Sequence, residues 1–384
     1  MTKNDDKCVP ALRFKGFNND WAQRKLGEIS IVNSGKDYKQ LNKGNIPVYG
    51  TGGYMLSVDQ YLSKNDAVGI GRKGTIDHPQ YLKAPFWTVD TLFFMTVREN
   101  NNLHYLYSLF QKINWKKYDE STGLPSLSKK TINNISVKVP EYIEQKRIGN
   151  FISQVDSLLS LQQRKLQQLK LLKKAMLQDL FTDKKVPKLR FSGFKENWIQ
   201  CKLGEIVKVI GGGTPSTKNP KYWNGQINWY SPNEIGSSIF VNSSKKKITS
   251  EGLKHSSAKL LPGNKTILFT SRAGIGDMAI MTSDGTTNQG FQSWIVDSKD
   301  TDIYFLYTLG FKLKRQSLRK ASGSTFLEIS NSEVKQLKLT VPSIEEQELI
   351  GLIVQKMDRL IVIQQKEFNK LESLKKFLLQ NMFI

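Results

Sequence analysis

The chain repeats itself, and the repeat limits what it can fold into. Residues 9–29 read VPALRFKGFNNDWAQRKLGEI and residues 186–206 read VPKLRFSGFKENWIQCKLGEI. At an offset of 177, 14 of these 21 positions are identical, among them Arg13/Arg190, Phe17/Phe194, Trp21/Trp198 and Gly27/Gly204. Residues 139–181 recur at 341–383 with an offset of 202, where 17 of 43 positions match, including Glu144/Glu346, Gln145/Gln347, Gly149/Gly351 and Lys173/Lys375. Two matches in the same order mean a tandem duplication, and the change of offset places 25 extra residues inside the second copy. Between the matching ends only landmarks are shared. These are Gly44-Asn45-Ile46 against Gly225-Gln226-Ile227, Arg72 and Gly74 against Arg272 and Gly274, and Leu106-Tyr107 against Leu306-Tyr307. Similar frames with divergent middles suggest two domains that read two different targets.

Each copy ends in a long helix. Pro140 breaks a strand-like VKV, and Glu141 and Glu144 fall in the first helical turn, where negative charge suits the dipole. In the second copy Ser343-x-x-Glu346 reads as a capping box after Pro342. Apolar residues recur at Ile148, Ile152, Val155, Leu159, Leu166, Leu169, Leu172 and Met176, and again at Ile350, Val354, Met357, Ile361, Phe368, Leu371, Leu374 and Leu378. Both seams predict coiled-coil-like helices of about 40 residues, or roughly 60 Å. One slot in each seam is polar, Gln162 and Gln364. If the helices pair antiparallel, these glutamines should meet near the middle and set the register; the alternative is an exposed glutamine on a drifting helix. The lysines Lys170, Lys173 and Lys174 fit a solvated helix end or a docking surface.

Charge points to the partner. With 57 Lys+Arg against 34 Asp+Glu the formal net charge is +23, while 39% hydrophobic residues still allow a folded core. Such a chain attracts polyanions, nucleic acid foremost. Two cysteines, Cys8 and Cys201, and three histidines exclude a zinc framework or disulfide scaffold. No run approaches the ~20 apolar residues of a membrane span, and MTKNDDKCVP carries no signal peptide, so a cytoplasmic protein is expected.

Motifs for catalysis fail on inspection. Gly69-x-Gly71-x-x-Gly74, with Asp90 downstream, has the letters of a dinucleotide fingerprint, but Thr75-Ile76-Asp77-His78-Pro79 cannot open the required helix. Asn219-Pro220-Lys221-Tyr222 departs from an adenine methyltransferase motif at Lys221, and no cofactor loop precedes it. Gly211-Gly212-Gly213-Thr214 lacks the Gly-Lys-Ser/Thr ending of a P-loop. No nucleophilic triad or acid/base pair stands out, so a non-catalytic chain is expected, with no cofactor or metal of its own.

Candidates for DNA contact lie in the divergent middles. In the first copy they are Lys36, Tyr38, Lys39, Tyr49, Thr51, Arg72 and Lys73, around a tight Gly50–Gly53 turn and after a strand-like AVGIG. In the second they are Thr214, Ser216, Lys218, Tyr222, Ser271, Arg272, Asn288 and Gln289, the last two before a strand-like GFQSWIV. Arg can read guanine and Asn or Gln adenine, while Ser, Thr and Lys mostly hold phosphates. Arg72 and Arg272, equivalent by the landmarks, are the leading pair; the plain alternative is an arginine that pairs a carboxylate or caps a turn. Trp21 and Trp198 belong to the core.

Taken together, the chain resembles the specificity subunits of type I DNA restriction–modification enzymes. The resemblance rests on LRFKGF…W…KLGEI with LRFSGF…W…KLGEI and on the paired VP…EQ…IG helices. It also rests on Thr270-Ser271-Arg272, Asn288-Gln289-Gly290-Phe291 and Ser322-Gly323. It implies an α+β chain with two mixed α/β target-recognition domains separated by two long helices in an antiparallel coiled coil. The expected segments are a first recognition domain at 1–140, a first spacer helix at 141–182, a second recognition domain at 183–342 and a second spacer helix at 343–384. It further implies double-stranded DNA as ligand, each domain taking one half of a bipartite target. Two modification (methyltransferase) subunits would bring S-adenosylmethionine and methylate flipped adenines. Restriction subunits, which are translocase–nucleases using ATP with Mg, can join them. The first domain departs from the second in lacking its Gly-Thr-Pro-Ser loop. A stand-alone methyltransferase would need a cofactor motif, and a non-specific nucleic-acid scaffold would show no preference for a split duplex sequence.

Overall fold

The computed structural model describes residues 9–181, 184–323 and 327–384; Cys8 lies outside them. The chain divides into two compact units, Met1–Lys165 with Gln364–Ile384, and Leu166–Ile363.

In the first unit a four-stranded antiparallel sheet runs in the order Ser30–Ser34, Leu92–Val97, Ala67–Gly71, Gln80–Leu82. A three-stranded sheet follows, built on the Lys43–Gly50 and Gly53–Val58 hairpin, with Trp87–Thr88 parallel to its first strand. The AVGIG segment is the central strand and is buried on both faces, which explains its lack of alternation. It leads into a turn and the Gln80–Leu82 strand, not a helix, so Gly69, Gly71 and Gly74 make no dinucleotide site.

The second unit has a five-stranded sheet in the order Val207–Gly211, Gln292–Val296, Thr266–Phe269, Met278–Met281, Phe240–Val241, the last pairing parallel at the edge. Strand register aligns the two domains residue by residue. Ser30 pairs with Val97 as Val207 pairs with Val296, and Val68 pairs with Met95 as Ile267 pairs with Trp294. The offset rises from 177 to 199 across this stretch, so 22 of the extra residues enter between the first and central strands, where Phe240–Val241 lies.

Both long helices form, at Tyr142–Leu180 and Ile344–Asn381. Their starts are fixed by identical bonds. Glu144 is 1% exposed and takes Nε and Nη2 of Arg13 at 2.7 and 2.8 Å. Glu346, also 1% exposed, takes the same atoms of Arg190 at 2.9 and 2.8 Å. Both carboxylate oxygens of Glu346 are thus engaged by Arg190, a charge-assisted bidentate pair at the helix start. Gln145 and Gln347 accept from the backbone N–H of Asn102 and Asp302, which cap the helices Leu103–Lys112 and Ile303–Thr308. Gly149 and Gly351 sit where a Cβ would run into those same caps, so only glycine allows the approach.

The core of each unit is closed by the C-terminal end of a long helix. In the first unit Leu378, Met382 and Phe383 join Trp21 and Tyr105, with Phe383 stacked on Tyr105 at 5.3 Å. In the second, Leu180 and Phe181 join Trp198 and Phe305, with Phe181 5.5 Å from Phe305. Both tryptophans are core, 3% exposed. The helix seams hold except at two equivalent positions: Leu172 and Leu374 are 54% and 43% exposed. Their places are taken by the next residues, Lys173 and Lys375. Lys173 pairs with Asp358 in the second unit, and Lys375 pairs with Asp156 at 2.7 Å in the first. Lys173 is thus not a solvated lysine. A seam of period 3.6 slips past a strict heptad, and an ion pair fills the slot. Gln162 and Gln364 have shielded Oε1 atoms with no hydrogen-bond partner among the described residues. Among the described residues no helix is long and apolar enough to cross a membrane.

Candidate nucleic-acid interface

In the first domain the central strand ends at Gly71, and the chain turns through Arg72, Lys73 and Gly74. The turn is clamped from two sides: Arg72 N–H donates to Thr91 O at 2.8 Å, and Arg72 O accepts from Leu127 N–H at 2.9 Å. Lys73 bridges Ser126. Beside it opens a cavity of about 490 Å³ lined by three cations, Arg72, Lys73 and Lys129, and three serines, Ser34, Ser126 and Ser128. The buried Phe93 ring forms its floor, with the Arg72 guanidinium 5.8 Å and the Lys129 ammonium 6.0 Å from the ring centroid. Among the described residues no carboxylate lies within 4.0 Å of the three cations. Ser128 is held by Glu120, whose carboxyl is kept below its ordinary value by hydroxyl donors from Thr131 and Ser128.

The hairpin tip belongs to the same surface. Gln80 Nε2 donates to Gly50 O and Thr51 O at 2.9 and 3.1 Å, and Thr51 abuts Gly74. Beyond the turn, Tyr54 and Met55 are 63% and 48% exposed. Lys36 follows two residues after Ser34; its backbone is fixed by Thr88 O and by Trp87 Nε1, and its side chain is exposed. Tyr38 and Tyr49 instead pack against the apolar cluster of Val48 and Phe86, which leaves them partly buried. Lys39 is exposed, its N–H taken by Asp37.

The second domain builds its face differently. Thr214 Oγ1 donates to Gln289 Oε1 at 2.6 Å, and Gly213 beneath is tied by Thr287 O and Trp229 Nε1. Asn288 Oδ1 accepts from Gly290 N–H, which fixes the side-chain amide. The loop from Thr214 carries exposed Ser216 and Lys218 and is pinned by Trp223 Nε1 donating to Ser216 O. Tyr222 stacks on His255 at 5.6 Å. In the same domain the helix Gly310–Lys320 buries Leu313 and Ser317 and exposes Arg315, Arg319 and Lys320.

Two expectations need correction. Ser271 N–H donates to Gly290 O and Ser271 O accepts from Ile329 N–H, the bonds that Arg72 makes in the first domain. Arg72 therefore corresponds to Ser271, and Lys73 to Arg272; the letters Arg and Gly match one residue out of step with the strand pairing. Ser271 is also fully buried, so its hydroxyl cannot face a surface ligand. Arg272 lies 3.9 Å from Glu328, as the plain alternative for an arginine had it. Among the described residues no group of three or more metal-binding side chains comes together.

Residues 18–171 and again 195–373 match the type I restriction modification DNA specificity domain family. The chain belongs to that family. Over 192 residues it is 36% identical to the type I restriction enzyme MjaIX specificity subunit of Methanocaldococcus jannaschii, covering 49% of this chain and 44% of that one. A type I restriction enzyme specificity subunit from Escherichia coli is 35% identical over 175 residues, 44% of this chain and 43% of the relative. The chain thus spans less than half the length of these curated relatives. The crystal structure of a type I restriction–modification S subunit from M. genitalium aligns over 98% of this chain and 99% of that one, with TM-score 0.69 and 15% identity; this is a likeness of fold.

Within this specificity-family chain the fold gathers Thr51, Arg72 and Lys73 in the first domain, and Thr214, Arg272, Asn288 and Gln289 in the second. It sets Tyr38, Tyr49 and Ser271 into packing. The reading from sequence missed Lys129, Ser34 and Ser126, which lie far from Arg72 along the chain. It also passed over the cationic helix Gly310–Lys320, although the run KLKRQSLRK carries both the charge and the helical spacing.

Proposed function

We propose that this chain is the DNA-reading subunit of a type I restriction–modification complex. Residues 1–140 and 183–342 are the two readers, each taking one half of a split duplex target, and residues 141–182 and 343–384 are helices that set the gap. The observation that carries this is the duplicated frame bearing two unlike faces: the Arg13–Glu144 and Arg190–Glu346 anchors agree, while the turns after the central strands differ in charge.

The helices pair as an antiparallel coiled coil about a pseudo-twofold axis. The exchange of partners in Lys173–Asp358 and Lys375–Asp156, the same two repeat positions used reciprocally, supports this. Gln162 and Gln364 set the register near its middle. Apolar residues at equivalent exposed positions, Leu158, Leu161 and Leu172 on one helix and Leu360, Ile363 and Leu374 on the other, offer one docking stripe to each of two modification subunits. Those partners bring S-adenosylmethionine, and restriction subunits bring ATP with Mg. This chain is non-catalytic and acts in the cytoplasm.

The test is co-expression with the neighbouring modification subunit in a methylation-free host, followed by mapping of methylated adenines. One motif of two short half-sites with a fixed gap is the expected result. Scattered methylation, or none from a complex that assembles, would overturn the reading. Shortening both helices by matched amounts should change the gap and leave the half-sites alone.

A further inference from the structure

The cavity beside Arg72 has features that reading a DNA sequence does not require. Three cations converge on it, and among the described residues none has a carboxylate within 4.0 Å. Like charges around one cavity repel, and an entering anion relieves that repulsion. The heads of Arg72 and Lys129 are aimed by the Phe93 ring, so less side-chain freedom is lost when a ligand binds. The hydroxyls of Ser34 and Ser126 make no hydrogen bond to protein among the described residues and supply neutral donors to the same space. Three cations and hydroxyls that can turn to donate suit a group that only accepts.

The second domain lacks the device. Strand register places Ser271, Arg272 and Gln292 where the first domain has Arg72, Lys73 and Phe93. The repeat places Asn331 at the position of Lys129. Arg272 faces Glu328, and Asn331 Nδ2 donates to Gln292 Oε1 at 2.7 Å, so this recess is self-neutralised.

We propose that the cavity between Arg72, Lys73 and Lys129 binds a backbone phosphate of the half-site held by the first domain, and that the second domain has no such phosphate site at the corresponding place. This rests on the DNA-reading function proposed above. The three cations are positioning residues: they hold the duplex against the first domain and leave base reading to its loops.

The test uses the chain assembled with its modification subunit and two labelled duplexes, one carrying the mapped motif and one scrambled. Binding is titrated over a range of salt concentrations. The Arg72→Gln/Lys73→Gln/Lys129→Gln variant should lower the slope of log affinity against log salt by about 0.9 for the lost phosphate, which makes affinity about 3- to 4-fold less sensitive to salt between roughly 50 and 200 mM. The preference for motif over scrambled duplex should stay unchanged. Lys129→Gln alone should lower the slope in the same direction, which keeps the result readable if the triple variant folds poorly. Lys83→Gln, at an exposed lysine outside the cavity, should leave the slope at its wild-type value.

A wild-type slope in the triple variant overturns the proposal, as does an equal fall in Lys83→Gln. An unchanged slope with a collapsed motif preference would show that the cations read bases, not phosphate. A wild-type complex that binds neither duplex at any salt overturns the DNA-reading function itself, a result distinct from all of these.

Discussion

Arg13 and Arg190 grip their glutamates through the same atoms at nearly the same distances, yet some 60 to 80 residues further on the two domains have little in common. At the turn after the central strand one domain gathers three cations around a cavity with no carboxylate within 4.0 Å among the described residues, and the other sets an arginine against a glutamate. The difference follows from burial. Removing one partner of a desolvated ion pair strands a charge in the core, so such positions change together or not at all. Residues on an exposed turn can change with little effect on stability, so the face is where two copies can come to read different targets.

The sharpest way to break this comparison is to attack the shared frame in both halves. Arg13→Ala and Arg190→Ala each leave a carboxylate that is 1% exposed without its partner, and each should destabilise its own domain by about 3–5 kcal/mol. Urea unfolding of the two variants would measure it. Markedly unequal losses would show that matching geometry hides unequal energetics.

A smaller effect should expose a difference within the frame. Tyr304 Oη donates to Asp358 at 2.8 Å, and burial with the nearby carboxylate pushes this phenol well above its ordinary range, so it stays a donor. The landmark alignment of Leu106-Tyr107 with Leu306-Tyr307 puts His104 at the matching place, where it stacks on Tyr81 at 5.0 Å. Tyr304→Phe should therefore destabilise by about 1.5–3 kcal/mol, the loss of a bond to an ionised acceptor. His104→Phe keeps the stacking and should be nearly neutral. Equal losses would mean that the Asp358 cluster contributes nothing special to the second domain.

These cases also show what could be read along the chain and what could not. The frame was legible because the residues that repeat, Trp21 and Trp198 or Gly149 and Gly351, are those whose burial or close approach forbids change. The helices were legible because their seams keep one period for most of their length and slip only near Leu172 and Leu374. The turn was legible only by position. Arg72 and Arg272 match in letters, but strand hydrogen bonds set equivalence, and they align Arg72 with Ser271. Lys129 was invisible because it reaches the cavity through long-range pairing, Lys73 with Ser126 and Arg72 O with Leu127 N–H. Lys173 looked solvated because a lysine in a seam needs an acidic partner, and Asp358 lies nearly two hundred residues away along the chain.

The seam glutamines offer a finer test. Their Oε1 atoms are shielded and without partners among the described residues, an arrangement that disfavours folding. Gln162→Leu with Gln364→Leu should raise stability by about 1 kcal/mol if the helices keep their register. If the glutamines set that register, the stabilised variant should assemble with modification subunits less uniformly, as native mass spectrometry or scattering would show. A stabilised variant with unchanged assembly would remove the register role and leave only a polar residue in a tolerant slot.

The smallest expected effect compares two helix caps. Ser128 caps the Lys129–Asn134 helix and Ser330 the Asn331–Lys335 helix; the first donates to Glu120 and the second to Glu333. Glu120 is held below its ordinary 4.5 mainly by Thr131 and Ser128, and Glu333 by the Ser330 backbone N–H and hydroxyl. A carboxylate depressed by folding stabilises fully above its unfolded value and loses that contribution as pH falls through its folded value. Glu120→Gln and Glu333→Gln should thus melt slightly below wild type at neutral pH and converge with it in acid below 4.5. Glu120 reaches its cap from outside the helix, whereas Glu333 sits within the first turn it serves. If only the Glu333 gap closes in acid, the upstream clasp at the edge of the cavity contributes no charge-dependent stability, and the two caps differ in kind.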